Sequence, residues 1–522
     1  MATLIAEIAP FANEPILTFR DEQSKRAMRE ALENARRTFG AEYDLIIGGK
    51  HVKSPTQFAS RNPAKPTEIV GNVQSATVEQ AREAVAAAEK AFATWSRVPA
   101  TQRAEVLFKA AAEVRRRRYE FDALLVLEVG KSWVEADGDT AEGIDFLEYY
   151  GREMLRYDGV HPVTPITGEK NGMRYIPLGV GVVVPPWNFA FAILVGMTAA
   201  AIVTGNSVVL KPSSDSPVIA AKFVELLESV GLPPGVVNLI TGSGGAIGDE
   251  LVKHPRVRFI AFTGSKEIGL RVNQLAAEPR PGQIWIKRVV AEMGGKDSIV
   301  VAADADLDAA VEGVAQAAYG YQGQKCSACS RAIVEAPIYD EFLRRLEARV
   351  KTITVGDPAE PDNYMGPVVN ERSLQKILSY VEHGKKEGRL VTGGQRAPGE
   401  GWFAQPTVFA DIPPDGKLAQ EEIFGPVLAV IKAKDYDQAI DIANNTEFGL
   451  TGAVYSSDPA KLDRAREEFH VGNLYLNRKC TGAMVGAHPF GGFNMSGTDS
   501  KAGGPDYLLL FMQAKSVSEK VG

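Results

Sequence analysis

Cysteine and histidine are scarce in this sequence, and their scarcity argues against several kinds of site. The 522 residues include three cysteines, Cys326, Cys329 and Cys480, so no disulfide framework is indicated and a reducing, cytoplasmic compartment is expected. Cys326-Ser327-Ala328-Cys329 has the spacing of a zinc or redox motif. Because only one other thiol is present and the six histidines are scattered without ligand spacing, we expect no metal site.

The sequence also lacks an excess of positive charge and a long apolar run without interruptions. The formal net charge of -7 argues against a nucleic-acid partner or an anionic membrane surface, since phosphate groups need a basic face. The basic run Arg115–Arg118 is interpreted as a solvated helix face. Prolines and asparagines interrupt the uncharged stretch 175–210, which indicates a buried strand and helix and no membrane span. Glu7 breaks the apolar N-terminus, so no signal peptide is expected.

The apolar residues alternate between short β-branched runs and helix-length segments, a pattern typical of parallel βαβ units. Thr77-Val78-Glu79-Gln80 has the form of a capping box and predicts a helix start. Five predicted strands, in the layout of a dinucleotide-binding sheet, cover residues 182–184, 207–210, 236–240, 257–262 and 288–292. A second alternation begins at Ser298 and continues through helical segments 306–318 and 338–351 to about residue 485.

The predicted fold is therefore α/β, with a Rossmann-like parallel-sheet cofactor domain, a second α/β catalytic domain and a small β oligomerisation flap. The predicted boundaries are 1–157 and 178–290 for the cofactor domain, 291–504 for the catalytic domain, and 158–177 and 505–522 for the flap. The apolar run Tyr507–Met512 is expected at an exposed strand edge, which would pair with another subunit.

Two glycine-marked segments supply an acid and a thiol. They are Glu292-Met293-Gly294-Gly295-Lys296 and Gly323-Gln324-Lys325-Cys326-Ser327. A cysteine thiolate forms covalent intermediates with carbonyl carbons, and a nearby carboxylate can activate the water that releases the acyl group. Because a hydride has to leave between those steps, we expect a dinucleotide site as well.

Polar or glycine-rich turns follow three of the predicted strands, where ligands of an open α/β sheet bind. Lys211-Pro212-Ser213-Ser214 is the first of them, and the turn 241–248 misses the usual dinucleotide glycine spacing by one residue. The second turn alone is equally consistent with a plain helix cap. Thr263-Gly264-Ser265 opens a predicted helix whose N-terminus favours a phosphate.

The order of these segments resembles the aldehyde dehydrogenase superfamily. The matching segments are Pro186-Trp187-Asn188-Phe189, Phe262-Thr263-Gly264-Ser265, Glu292–Lys296, Gly323–Cys326 and Glu421-Glu422-Ile423-Phe424-Gly425-Pro426. Within it, residues 477–486 and 492–505 resemble the 1-pyrroline-5-carboxylate dehydrogenase branch, which oxidises L-glutamate γ-semialdehyde to glutamate in proline breakdown. The alternatives are a dehydrogenase of another semialdehyde or aliphatic aldehyde, a thiol hydrolase or esterase, and a catalytically silent binding or structural protein.

The resemblance implies roles for individual residues. Cys326 attacks the aldehyde, the Asn188 amide and the Cys326 N–H hold the oxyanion, and Glu292 activates water. Cofactor-binding residues would be Trp187, Lys211, Ser214, Gly244, Gly248, Gly264, Ser265, Glu422 and Phe424. NAD is the implied cofactor. Ser214 stands where NAD-specific relatives often carry Glu, so NADP is expected to be accepted too.

The substrate site is expected to recognise an amino-acid aldehyde. Ser327 and the backbone of Gly482 and Ala483 would bind its carboxylate. Phe189 and Phe490 would clamp its chain by resemblance, and Glu142 would face its ammonium, although core packing and an exposed helical acid stay open. The expected partners are this small molecule and further copies of the chain, as a dimer or a trimer of dimers, without nucleic acid or membrane.

Overall fold

The structure is a computed structural model that describes residues 9–521, and it confirms the α/β class. Residues 1–8 and 522, which belong to the predicted cofactor domain and flap and include Glu7, lie outside the described residues. Elements of the first part of the chain are α1 Glu22–Arg37, β1 Glu42–Tyr43, β2 Leu45–Ile47, β3 Lys50–Val52, β4 Thr56–Asn62, β5 Lys65–Ser75, α2 Val78–Trp95, α3 Ala100–Arg116, α4 Arg118–Val129, α5 Trp133–Tyr157, β6 Glu169–Pro177, β7 Val180–Val184, α6 Ala192–Val203, β8 Ser207–Leu210, α7 Pro217–Ser229, β9 Val237–Leu239, α8 Asp249–Lys253, β10 Val257–Thr263, α9 Lys266–Ala277 and β11 Arg288–Glu292.

The first large sheet has seven strands in the order β11-β10-β7-β8-β9-β2-β3. Strands β7 to β11 are parallel, as predicted, whereas β2 joins β9 antiparallel. Val208, Val209 and Leu210 in β8 are fully buried, because helices cover both faces of the sheet. The capping box at Thr77 is confirmed, with Gln80 bonding back to the Thr77 N–H. Strand β11 ends at Glu292, paired with Thr263 at the end of β10.

The second large sheet has the order β14-β15-β16-β13-β12-β18-β19, and all its pairs except β14–β15 are parallel. Its elements and those near it are β12 Ser298–Val301, α10 Leu307–Tyr319, β13 Arg331–Glu335, α11 Tyr339–Val350, α12 Glu371–Glu387, β14 Arg389–Thr392, β15 Thr407–Ala410, α13 Lys417–Gln420, β16 Val427–Ala433, α14 Tyr436–Asn444, β17 Phe448–Gly449, β18 Thr451–Tyr455, α15 Pro459–Glu468, β19 Asn473–Leu476, β20 Phe493–Asn494 and β21 Met512–Lys520. Residues 293–297 connect the carboxyl end of β11 to the amino end of β12. The turn before β13 therefore lies beside the end of β11, since Ser298 pairs with Arg331.

The two segments predicted as a flap pair with each other. Strands β6 and β21 form an antiparallel ribbon from Pro177 opposite Met512 to Glu169 opposite Lys520. The expectation that Tyr507–Met512 forms an exposed edge is wrong. Residues Tyr507–Phe511 form a short 3-10 turn, and Leu508 and Phe511 are fully buried against the first sheet's core, because their apolar surface finds partners within the chain itself.

The basic run at the junction of α3 and α4 is solvated only in part: Arg115 and Arg116 are exposed, as expected, whereas Arg117 and Arg118 are not. Arg118 lies mostly buried and forms a two-pronged ion pair with Asp137 of α5, at 2.6 and 2.7 Å. Arg115 pairs with Glu14 at 2.7 Å. A charged run cannot reveal from local pattern alone that acidic groups elsewhere in the chain neutralise it. Among residues 9–521, no helix combines the length and apolar character that crossing a membrane requires.

Candidate active site

A cavity of about 290 Å³ lies where the end of β11 meets the turn before β13. It brings together both ends of the predicted site, which are far apart in sequence. The predicted residues on its wall are Cys326, Glu292, Ser327, Gly482, Ala483, Phe189, Phe490 and Glu142. The cavity thus brings the thiol and the acid Glu292 together with aromatic, acidic and basic side chains, the basic ones being Lys325 and Lys479.

Cys326 sits in a tight turn that only certain residues can form. Tyr321, Gln322 and Gly323 have φ of 48°, 57° and 67°, in the left-handed region. A Cβ on Gly323 would lie 2.5 Å from the Gly425 carbonyl oxygen, so the close approach also requires glycine there. Burial, with the nearby carboxylates of Asp297, Glu422 and Glu292, raises the pKa of the Cys326 thiol far above its usual range. The resting residue is therefore a thiol that must lose its proton to react.

Glu292 is the last residue of β11 and is almost fully buried. Its carboxylate accepts the Ser500 hydroxyl at 2.5 Å and the backbone N–H groups of Ser500 and Gly492 at 3.3 and 3.2 Å. Burial outweighs these bonds and raises the pKa of Glu292 to about 7. A carboxyl that titrates near neutrality can take up and give back protons at physiological pH.

Asn188 follows β7 and lies beside the nucleophile turn. One N–H of its side-chain amide donates to the Gln324 carbonyl oxygen at 3.1 Å, which fixes the amide two residues before Cys326. The side chain is 4% exposed. The amide can therefore point a second N–H at an oxygen bound near the thiol, in the manner of an oxyanion hole.

Lys211 and Ser214, two of the predicted cofactor residues, follow the carboxyl end of β8. Lys211 is buried, and its ammonium has one acceptor, the Pro212 carbonyl oxygen at 3.2 Å. Burial lowers the pKa of Lys211 to about 8. Ser214 donates to the Gly242 carbonyl oxygen at 3.3 Å. A buried ammonium with spare donors suits hydroxyl or phosphate oxygens of a ligand.

The glycine-rich turn adopts a π-helical conformation, Gly244–Gly248, ahead of α8. A Cβ on Gly244 or Gly248 would meet no atom within 4 Å, so the turn leaves its backbone open to a ligand. Ser265 caps the N-terminus of α9, as predicted, and accepts the Ile268 N–H at 3.4 Å. Gly264 donates its N–H to the Glu292 carbonyl oxygen at 3.1 Å, which ties this turn to the acid.

A second cluster of predicted cofactor residues lies against the nucleophile turn. The rings of Trp187 and Phe424 meet edge to face with centroids 5.5 Å apart, and Phe424 has a left-handed φ of 61°. Glu422 accepts the Gly295 N–H at 3.1 Å. Its carboxylate oxygens lie 2.3 Å from where a Cβ on Gly294 would stand, so Gly294 makes room for Glu422, whereas a Cβ on Gly295 would meet Asp297 and the Cys326 carbonyl oxygen.

The loop after β19 exposes backbone donors to the cavity. Arg478 donates to the carbonyl oxygens of Thr481 and Gly482, both at 3.0 Å, and stacks over the Tyr475 ring. In a trans peptide the N–H points opposite to the carbonyl, so the N–H groups of Gly482 and Ala483 face away from Arg478. Gly482 has φ +79°, which a side chain would oppose. N–H groups that are not turned toward Arg478 are available to an anion bound in the cavity.

Acidic side chains of α5 form another part of the cavity wall. Glu142 of α5 is half-buried, and burial with the negative charge of Asp139 raises its pKa to about 8. Asp139 forms a fully buried ion pair with Lys131 at 3.2 Å. The Lys131 ammonium also lies 4.4 Å from the centroid of Phe189, which fixes that ring as a wall. Helix α5 thus contributes carboxyl groups to the cavity wall, and the loop after β19 contributes backbone N–H groups.

Sequence reasoning missed Glu14 and Ile16, which line the cavity from the N-terminal segment, and Arg478. The only available signal was the basic run whose Arg115 and Arg118 hold Glu14. Cys329 is buried, with its Sγ 3.4 Å from the Arg331 carbonyl oxygen, which favours the interpretation as a small core residue. Among residues 9–521, no cluster of side chains has the composition of a metal centre.

Comparison with known proteins gives concordant relatives. The Aldehyde dehydrogenase family model matches residues 51–517. The chain is 57% identical to a 1-pyrroline-5-carboxylate dehydrogenase of a Geobacillus species, over 98% of this chain and 99% of that one. A crystal structure of 1-pyrroline-5-carboxylate dehydrogenase from Thermus with bound NAD superposes with a TM-score of 0.97 at 51% identity, covering 98% of this chain and 100% of that one. Betaine aldehyde dehydrogenase from Staphylococcus aureus in complex with NAD+ gives 0.89 at 30% identity, covering 95% and 98%.

Proposed function

We propose that this chain, which belongs to the aldehyde dehydrogenase family, oxidises L-glutamate γ-semialdehyde to L-glutamate with NAD in proline catabolism. The semialdehyde is the open form of 1-pyrroline-5-carboxylate. The observation that carries the proposal is the polarity of the cavity. The Cys326 thiol and the acid Glu292 line it together with the Glu142 carboxyl and with Gly482 and Ala483, whose backbone N–H groups face away from Arg478. A zwitterionic aldehyde has the complementary charges.

The reaction begins with attack by Cys326. Its sulfur forms a bond to the aldehyde carbon, the carbonyl electron pair moves to oxygen, and the thiol proton leaves. The Asn188 amide and the Cys326 backbone N–H stabilise the resulting oxyanion. Above pH about 7, Glu292 is ionised and can receive that proton.

A nicotinamide dinucleotide, when bound, supplies the hydride acceptor that turns the thiohemiacetal into a thioester. The chain's own residues suit such a ligand: Lys211 has spare donors in a buried position, and the open turn 244–248 presents backbone. Ser265 at the N-terminus of α9 offers donors to a phosphate. Glu422, whose charge acts on the Cys326 thiol, and the paired rings of Trp187 and Phe424 would hold the reactive ring of the cofactor in place.

Glu292 then completes the cycle. After it has released the thiol proton to solvent, Glu292 is again a carboxylate and removes a proton from water. The water oxygen bonds to the thioester carbon while the Cys326 sulfur leaves as a thiolate. The three hydrogen bonds from Ser500 and Gly492 keep the carboxylate at the end of β11, aimed into the cavity. Glutamate is released and Cys326 regains a proton.

Substrate recognition is assigned to two parts of the cavity wall, the loop at residues 482–483 and helix α5. The N–H groups of Gly482 and Ala483, with the Ser327 hydroxyl, would bind the α-carboxylate. Glu142 would pair with the α-ammonium, and that pairing lowers its raised pKa toward the ionised form. Phe189 and Phe490 flank the aliphatic chain between the charged groups.

An aldehyde panel tests the proposal. We expect the semialdehyde to have a kcat/KM at least about 100-fold above that of propanal or hexanal, because a site built to hydrogen-bond polar groups rejects analogues without them. Running the panel with NAD and NADP also measures cofactor choice. Equal turnover of propanal and the semialdehyde would replace this assignment with a general aldehyde dehydrogenase.

We further propose that the ribbon of β6 and β21 mediates assembly into a dimer or a trimer of dimers. Val517 on the ribbon is about half exposed, as are Val160 and Ile166 before it, which supports burial against another subunit. Light scattering of the full chain and of a chain ending at residue 511 tests this. A stable monomer in both would refute it. The domain boundaries and the cytoplasmic location remain predictions.

A further inference from the structure

Residues 9–20 precede the first helix and cross the face of α5 beside the cavity; we call them the N-terminal strap. They lie before residue 51, where the match to the family begins. Two of their side chains, Glu14 and Ile16, are part of the cavity wall. The aldehyde chemistry described above uses none of them.

The strap is fastened to α5 through its backbone. The N–H of Glu14 donates to Asp145 at 2.7 Å, and the N–H of Leu17 donates to Asp137 at 2.6 Å. Arg118 donates to the Pro15 carbonyl oxygen at 2.6 Å. An extended segment without secondary structure gains a fixed path from such bonds.

Asn13 links the strap to the loop that presents the anion-binding N–H groups. Its side-chain amide donates to Asp145 at 2.8 Å and to the Val485 carbonyl oxygen at 2.9 Å. Val485 is two residues beyond Ala483, in the same loop. One side chain therefore joins the acidic wall of the cavity to its donor wall.

Phe11 adds an apolar contact to the same loop. Its ring meets the Tyr149 ring edge to face at 5.1 Å, and a Cβ on Gly486 would lie 3.1 Å from it. Arg478 holds the start of the loop at Thr481 and Gly482, while the strap holds its end. The loop is thus fixed at both ends by different parts of the chain.

We infer that the N-terminal strap is a wall of the substrate site and that Asn13 is a positioning residue, which holds the 481–487 loop in place for the substrate carboxylate. The effect expected on substrate kinetics rests on the proposed function. The effect expected on the mobility of the 481–487 loop does not. Loss of the Asn13 bond leaves the loop's far end held by the Gly486 N–H bond to the Gly503 carbonyl oxygen, 2.8 Å, and by Phe11. The loop loosens at Val485, so a carboxylate substrate must order it on binding. A short aliphatic aldehyde makes no use of that loop.

The test compares Asn13→Ala with Asn34→Ala, a control in an exposed part of α1 whose side chain accepts a bond from Arg37. Backbone hydrogen exchange needs no substrate. We expect exchange across residues 481–487 to rise by about tenfold in Asn13→Ala and to stay unchanged in the control, because the Asn13 side chain bonds the Val485 carbonyl oxygen to the strap. Unchanged exchange in Asn13→Ala would overturn the inference.

Steady-state kinetics give the second readout. We expect Asn13→Ala to raise KM for the semialdehyde by about fivefold to tenfold, with kcat and propanal oxidation within about twofold of the parent. A purely structural role would lower Tm without changing this ratio, and that result would overturn the inference. If the parent protein fails to oxidise the semialdehyde, the proposed function falls and the exchange experiment alone decides the strap's role.

Ile16→Ala keeps the inference testable if Asn13→Ala fails to fold. Ile16 is 51% exposed, so its truncation costs little core packing. It widens the cavity at the strap, and we expect the kcat/KM ratio of hexanal to propanal to rise at least about threefold, since extra room admits the longer chain. An unchanged ratio would show that the strap is not a wall of the site.

Discussion

Glu292 accepts three hydrogen bonds from Ser500 and Gly492, whereas Glu142 on α5 makes no side-chain hydrogen bond among residues 9–521. Burial raises the pKa of both carboxyls, to about 7 and about 8. The donors around Glu292 fix its direction before any ligand arrives. Glu142 keeps its acceptors for a cation. The end of the cavity with Cys326 and Glu292 is therefore preorganised for the reaction. At the other end, Glu142 is available to pair with a charged group of the substrate.

The same contrast separates the chain segments that build the two ends. Glu292 ends a strand and Cys326 sits in a tight turn beside it, so their positions follow from the sheets. The far end comes from a helix, the 481–487 loop and the strap, whose positions depend on contacts such as Asn13 to Val485. The reacting groups are thus held by the two sheets, which we call the framework. Substrate specificity depends on the loop and the strap, which can change without disturbing the sheets.

The largest expected effect tests the framework end. Cys326→Ala should fold and bind dinucleotide but lose turnover by at least about 10⁴-fold, because no other group can form the thioester. Aldehyde-dependent formation of reduced cofactor measures this. Cys329→Ala is the matched control and should retain most activity, since its buried thiol points to a backbone carbonyl. Substantial turnover by Cys326→Ala would place the nucleophile elsewhere.

Glu292→Gln should stall after the first chemical step. The amide cannot take a proton from water, so one burst of reduced cofactor should precede a steady rate about 10²–10⁴-fold below the parent. In the parent, steady turnover should rise as pH increases through about 7, because the base acts ionised and burial raises its pKa to that value. Stopped-flow absorbance gives both readings. A variant with no burst but intact cofactor binding would contradict the deacylation role.

How far the sequence predicts this site depends on whether the signal is local. The strand ends that carry Glu292 and Lys211 were predicted because β-branched runs buried on both faces mark parallel strands. Cys326 and Gly482 stand in short segments with their own glycine signals. The interior position of Tyr507 was not predicted, because an apolar run looks the same at an exposed edge and in a core.

The strap was missed for a physical reason. Asn13 bonds to Val485, which lies 472 positions further along the chain, and such a contact leaves no periodicity in the sequence. Arg118 looked like a solvated residue for the same reason, since its partner Asp137 is on another helix. Contacts between distant segments need the fold before they can be inferred.

Glu142→Gln tests the far end. Replacing the carboxylate by an amide of the same size removes an ion pair with the substrate ammonium, and hydrogen bonds to charged groups contribute about 1.5–3 kcal/mol. We expect kcat/KM for the semialdehyde to fall by about 10- to 100-fold, with propanal almost unaffected. Steady-state kinetics on both aldehydes measure the contrast. Equal losses on the two substrates would mean that Glu142 supports the framework rather than recognition.

The smallest effect is expected at Ser214, which follows strand β8 of the framework and is predicted to influence the choice between NAD and NADP. Ser214 donates to the Gly242 carbonyl oxygen and leaves no carboxylate to repel a 2′-phosphate, so the parent should accept NADP as well as NAD. Ser214→Glu should lower kcat/KM for NADP by about tenfold, because a second negative charge meets the phosphate, and change that for NAD by less than about twofold. Ser213→Ala, beside it, serves as the control. If the parent already rejects NADP, a part of the chain other than residue 214 determines the choice of cofactor, and this prediction is wrong.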